Sequence, residues 1–158
     1  MYRTLEPIEY KPYRADVFRI FNRNIIVRGD VDLSTGLLML PHFKYIGGGL
    51  DCSYNQLTSL KGCPTYIGRD LICGDNQLTN LKGCATYIGG GLNCGYNQLT
   101  SLKGCTTRIG GNLICQNNQL TSLKGCPIYV GGSLYCSDNK IKLPRPKGIK
   151  IGGCFFNR

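Results

Sequence analysis

The residues with the most obvious chemical potential are ten cysteines spread at regular intervals along the chain. One set falls at Cys52, Cys73, Cys94, Cys115 and Cys136, a second at Cys63, Cys84, Cys105 and Cys126, and Cys154 stands outside both. Thiolates ligate metals, but tetrahedral sites draw on closely spaced ligands such as C-x-x-C. Interleaved along the chain, the two sets place neighbouring cysteines 10 or 11 residues apart, and His42 is the sole histidine, so no metal centre of the usual spacing is expected. Cysteines that recur along one column of a repeat run their Cα–Cβ vectors in parallel, which suits disulfide geometry poorly. They are expected to be reduced and structural, acting as small apolar side chains in a reducing cytosol.

Catalytic chemistry has less to work with. His42, the sole histidine, lies in the cap between Pro41 and Phe43, where a lone histidine is more often a structural residue than a base. Asp51, Asp70, Asp75 and Asp138 are too scattered to pair as general acid and base. The chain has no nucleophile elbow, no P-loop lysine and no dinucleotide-binding glycine motif. An enzyme is not expected, and neither is a cofactor or a metal.

Binding residues are easier to nominate. Lys61, Lys82, Lys103 and Lys124 recur in an S/N-L-K-G-C segment, and Lys140, Lys142, Arg145, Lys147 and Lys150 follow them. These cations are candidate contacts to an anion or an acidic partner, in a chain with 19 Lys+Arg against 9 Asp+Glu and a net charge of +10. A second set consists of positions that vary between otherwise constant units. After a recurring leucine come Asp51, Ile72, Asn93, Ile114 and Tyr135, and before a recurring asparagine come Tyr54, Asp75, Tyr96, Asn117 and Asp138. Apolar and aromatic side chains at such positions are the anchors interfaces use, so these ten are candidate partner-binding residues.

The element that must position all of them is a repeat. Leu50–Asp70 reads LDCSYNQLTSLKGCPTYIGRD and Leu71–Gly91 reads LICGDNQLTNLKGCATYIGGG, and units 92–112 and 113–133 keep the same period of 21. A shortened unit, 31–49, precedes them and a degenerate one, 134–154, follows. Leucine recurs at 50, 71, 92, 113 and 134, cysteine two residues later, and asparagine at 55, 76, 97, 118 and 139. Alternation on a short strand turns Leu50 and Cys52 inward and Asp51 outward. One coil cannot bury its apolar stripe alone, whereas stacked coils share a continuous core. Buried asparagine amides are expected to pair with turn backbone that would otherwise lack partners.

The pattern predicts a mainly β, right-handed solenoid over 31–158, with a parallel sheet on a concave face and extended or 3₁₀ segments on the convex side. Residues 1–30 are read as an N-terminal extension and hairpin cap, Val17–Phe21 turning at Asn22–Asn24 into Ile25–Val27. At the other end Phe155 falls 21 residues after Leu134, which makes Phe155 and Phe156 the expected strand edge and a candidate assembly surface, including for a homodimer. No apolar stretch approaches the roughly 18 residues of a membrane span, and Met1–Lys11 carries Arg3, Glu6 and Glu9 without an apolar core, so neither a span nor a secretory signal is expected.

The unit LxCxxNQLTSLKGCPxxIGG resembles the short, cysteine-containing leucine-rich repeats found in proteins of tailed bacteriophages, large viruses and some bacteria, and IIVRGDVDLSTGLLMLP resembles their entry segment. The resemblance spans roughly Asn24–Asn139. It implies a virus-encoded or bacterial protein of the bacterial cytoplasm, working as a recognition scaffold. The leading expectation is a non-enzymatic protein-binding module that inhibits or modulates a host protein with an acidic surface, such as a defence factor or enzyme. The alternative is a nucleic-acid-binding protein that uses the lysine rim and the basic C-terminal segment.

Overall fold

The computed structural model describes residues 4–5, 25–34 and 36–157. Each coil contains two places where one apolar side chain must turn inward and its neighbour outward, and each becomes a strand. Tyr66–Ile67 buries Ile67, and Leu71–Ile72 buries Leu71. Stacking the first kind gives an eight-stranded parallel sheet of β1 (Thr4–Leu5), β2 (Ile25–Val27), β4 (Phe43–Ile46), β6 (Tyr66–Ile67), β8 (Tyr87–Ile88), β10 (Arg108–Ile109), β12 (Tyr129–Val130) and β14 (Lys150–Ile151). Stacking the second kind gives a seven-stranded parallel sheet of β3 (Val31–Asp32), β5 (Leu50–Asp51), β7 (Leu71–Ile72), β9 (Leu92–Asn93), β11 (Leu113–Ile114), β13 (Leu134–Tyr135) and β15 (Phe155–Phe156).

The described residues contain no helix, and the fold is the mainly β solenoid with a 21-residue coil that the repeat predicts. The side expected to be extended or 3₁₀ is extended, and regular enough to pair as a sheet of its own. No 3₁₀ segment occurs among the described residues. In the regular coils each strand meets its counterpart one coil away in unbroken register, Leu50 opposite Leu71, Leu71 opposite Leu92 and Leu92 opposite Leu113.

The core runs between the sheets. The leucine and cysteine columns of the second sheet, the Ile67 column of the first, and Leu57, Leu78, Leu99 and Leu120 are all closed to solvent. A 21-residue coil leaves little length for its corners, so the backbones pack closely there. A Cβ on Gly68, Gly89, Gly110, Gly131 or Gly152 would lie under 3.0 Å from the carbonyl oxygen of the matching glycine one coil earlier. A second corner is the Lys-Gly turn, where the Cys63 N–H donates to the Leu60 carbonyl at 3.0 Å and Gly62 adopts φ +100.

The asparagine column is a buried ladder. The Asn97 amide nitrogen donates to the Cys73 carbonyl of the previous coil at 3.0 Å and to the Gly95 carbonyl of its own at 3.1 Å, while its Oδ1 accepts from the Leu78 N–H at 2.9 Å. Asn76 and Asn118 repeat the same set. Replacing Asn97 by Ala leaves the buried Leu78 N–H without a partner, at a cost of about 1–3 kcal/mol, while the Cys73 and Gly95 carbonyls keep the Asn76 amide and the Asp75 N–H as donors. Urea titration is therefore expected to find Asn97→Ala destabilised by about 1–3 kcal/mol, and a loss below about 1 kcal/mol would mean the ladder is dispensable.

The two ends depart from the regular coils in different ways. Val17–Phe21, one arm of the expected hairpin, lies outside the described residues. The other arm, Ile25–Val27, is β2, and its two neighbours in the sheet, β1 and β4, both run parallel to it. At the C-terminal end, Pro144 and Pro146 do not end the array. The turn moves on to Lys147–Gly148, and Phe155 and Phe156 pair with Leu134 and Tyr135 as one further rung. Phe155 is half-buried against the core in the place of the next repeat leucine, and its strand pairs with β13 alone, so it forms the edge of its sheet.

Candidate interaction surfaces

All ten cysteines are free thiols. Cys52, Cys73, Cys94, Cys115 and Cys136 are fully buried, Cys63, Cys84, Cys105 and Cys126 half-buried, and Cys154 exposed. Burial pushes the Cys52 and Cys84 thiols up to about 12 and holds Cys73, Cys94 and Cys115 well above the ordinary value, so none of these offers a thiolate for chemistry. No group of three or more His, Cys, Asp or Glu side chains able to hold a metal occurs among the described residues. His42 is exposed.

The second sheet and the corner after it carry the ten residues nominated for partner binding, and the structure divides them. Ile72, Ile114 and Tyr135, expected to be exposed, are half-buried, because the flanking strands close over them. Tyr135 also loses one ring face to Phe156, stacked at 4.6 Å. Asp51 and Asn93 are occupied locally: Asp51 Oδ1 accepts from the Ser53 N–H at 2.9 Å and the Ser53 hydroxyl at 2.6 Å, and Asn93 Oδ1 accepts from the Gly95 N–H at 3.0 Å. The other five, Tyr54, Asp75, Tyr96, Asn117 and Asp138, share one left-handed backbone conformation with φ of 52–53, so the position is set by a turn that sequence reading took to be unconstrained. Tyr54 and Tyr96 nonetheless remain widely exposed.

The cationic candidates occupy other parts of the coil. Lys61, Lys82, Lys103 and Lys124 are all exposed at the Lys-Gly corner, and the ridge is held in register by backbone bonds from the Leu81 N–H to the Lys103 carbonyl and from the Leu102 N–H to the Lys124 carbonyl, each 3.1 Å. Lys140, Lys142, Arg145 and Lys147 continue the exposed cationic stretch into the last coil, and Lys150 joins β14. Phe155 and Phe156 line an open groove of about 720 Å³ at this end, beside Lys142, Arg145 and Cys154.

Sequence reading missed one column entirely. Tyr45, Tyr66, Tyr87, Arg108, Tyr129 and Lys150 follow one another outward-facing along the larger sheet. Tyr45 stacks on Tyr66 with ring centroids 4.8 Å apart, Tyr66 on Tyr87 at 4.7 Å, and the Arg108 guanidinium lies 4.5 Å from the Tyr129 centroid. The signal was a tyrosine recurring one residue before the isoleucine column, which alternation alone places on the outer face.

Electrostatics separates the two regions. The six described acids, Asp30, Asp32, Asp51, Asp70, Asp75 and Asp138, all lie between the glycine corner and the left-handed residue of their coils. From the asparagine column round through the lysine ridge to the tyrosine column there is no acid in any described coil, while Lys44, Arg108 and the nine nominated cations are all exposed there. The two nominated sets therefore do not form one site. No helix among the described residues is long and apolar enough to cross a membrane. No protein-family model, curated protein or solved structure matches the chain.

Proposed function

We propose that this protein is a non-enzymatic binding scaffold that docks the acidic surface of a partner protein along its acid-free arc. The observation that carries the reading is the segregation of charge: among the described residues, eleven exposed cations and no acid lie on the arc running from the asparagine column to the tyrosine column. A rigid stack of coils holds these cations at a fixed pitch, so an acidic surface meets them without first ordering the scaffold. The resemblance of the repeat unit to phage and viral leucine-rich repeats supports a bacterial host protein as the target and inhibition or modulation as the outcome.

Nucleic acid is the second reading, favoured by the same eleven cations. It ranks lower because Tyr45, Tyr66 and Tyr87 spend their ring faces on one another and turn edges outward, which leaves little platform for bases.

The test is capture from nuclease-treated bacterial lysate followed by titration of the captured protein. Reversing Lys82, Lys103 and Lys124 to Glu is expected to weaken binding by about a hundredfold, at about 1 kcal/mol per charge. Ile72→Ser on the other sheet should leave it unchanged. A captured partner indifferent to the reversed ridge would sink the reading, and capture that disappears with nuclease treatment would favour the second.

A further inference from the structure

The left-handed corner supports a second recognition site, independent of the acidic-partner reading and on a different part of the coil. The backbone there is imposed by the ladder. The Tyr54 N–H donates to the Gly74 carbonyl at 3.3 Å, the Asp75 N–H to the Gly95 carbonyl at 3.1 Å, and the Tyr96 N–H to the Gln116 carbonyl at 3.1 Å. In the five coils from Tyr54 to Asp138 the conformation is the same to within a degree. Left-handed φ suits Asn and Asp, whose short side chains tolerate it, and costs other residues about 1–2 kcal/mol. Three of the five positions obey that preference, with Asp75, Asn117 and Asp138. Tyr54 and Tyr96 do not, and packing does not explain them, since they are 72% and 52% exposed.

Two strained, exposed aromatics in one column point to recognition rather than folding. Rings stacked on consecutive coils elsewhere in the molecule lie 4.6–4.8 Å apart, so Tyr54 and Tyr96, two coils apart, have anchors about 9.5 Å apart. A group held midway between rings that stand parallel on these anchors would lie just under 5 Å from each, inside the roughly 6 Å reach of a cation over a ring face. The residue on the middle coil is Asp75, a carboxylate. Two electron-rich rings flanking a carboxylate select for positive charge and against anions. The remaining described acids lie on the same arc, and Arg69 is engaged with Asp30 at 3.5 Å.

We propose that Tyr54, Asp75 and Tyr96 form a cage for a cationic side chain, arginine or lysine, presented by a partner protein. The scaffold then has two faces of opposite preference, one for an acidic surface and one for a basic segment.

The probes are a blocked Gly-Ser-Arg-Ser-Gly peptide and its citrulline counterpart, which keeps the shape and loses the charge, titrated against the full chain by NMR of the tyrosine rings. Saturable shifts confined to Tyr54 and Tyr96 are expected with the arginine peptide, and binding at least tenfold weaker with citrulline. Asp75→Asn preserves a left-handed-tolerant residue, as Asn117 does naturally, and should weaken the arginine peptide about five- to tenfold. The double variant Tyr54→Asn/Tyr96→Asn should abolish binding and raise the melting temperature by several degrees, as relief of strain at two positions requires. No saturable shift at tens of millimolar peptide, an equal response to citrulline, or a double variant that binds or melts as wild type would each overturn the proposal. The lysine-ridge reversal leaves the cage intact, so failure of the acidic-partner reading does not bear on this outcome.

Discussion

Raising the pH from about 8 to about 10 is expected to unfold this protein cooperatively, because the core is built on thiols that cannot ionise in place. Cys52, Cys73, Cys94, Cys115 and Cys136 are closed to solvent. Burial pushes Cys52 up to about 12 and Cys136 to about 11, and holds the other three well above their ordinary 9.0. In the unfolded chain the same thiols lose protons around the ordinary value, so above it the native state binds more protons and its stability falls as pH rises. The contribution is fully present below about pH 9 and is withdrawn progressively toward the folded-state values. One unit above the unfolded value each buried thiol has removed about 1.4 kcal/mol, and five together about 7 kcal/mol, comparable with the whole stability of an ordinary domain.

Urea unfolding at successive pH values measures this directly. The slope of stability against pH should approach about nine protons, since burial raises Cys63, Cys84, Cys105 and Cys126 as well as the five column thiols, and Cys94→Ala should reduce it by about one while also lowering stability at neutral pH. A stability that stays level between about pH 8 and 10 would show that the thiols ionise without leaving the core.

The second large effect belongs to the glycine corner. Gly110→Ala is expected to cost about 3–5 kcal/mol, because its Cβ would meet the Gly89 carbonyl oxygen and only a backbone shift can relieve the contact. Stability in a solenoid is roughly a sum of coil and interface contributions, so a fault between two central coils divides the array. The melt is then expected to broaden or split, with the coils on either side unfolding separately. Gly95→Ser is the control. Its Cβ would come no nearer than 3.3 Å to a neighbour, and Ser53 and Ser137 occupy the same column in other coils. Gly95→Ser should melt close to wild type. Should Gly110→Ala do so as well, close backbone packing is not what holds the corner.

The columns were legible in the order of the amino acids alone. A period of 21 residues dictates that Leu50 stacks on Leu71, that Asn76 meets the backbone of the preceding coil, and that Phe155 takes the next rung after Leu134, because in-register stacking is the one arrangement that buries every apolar stripe and pairs every turn amide at once. Periodicity says which residues share a column but not where around the coil that column faces. That angle is decided at the corners, where the glycine contacts, the left-handed residue and the Lys-Gly turn bend the backbone against the coils above and below. The packing of the coils therefore placed the lysine ridge and the Tyr66 column on an arc without acids among the described residues, half-buried Ile72 and Ile114, and set Tyr54 and Tyr96 in a conformation their own side chains do not favour. Each of these depends on backbone packing between residues a full coil apart, a distance over which local propensity carries no information.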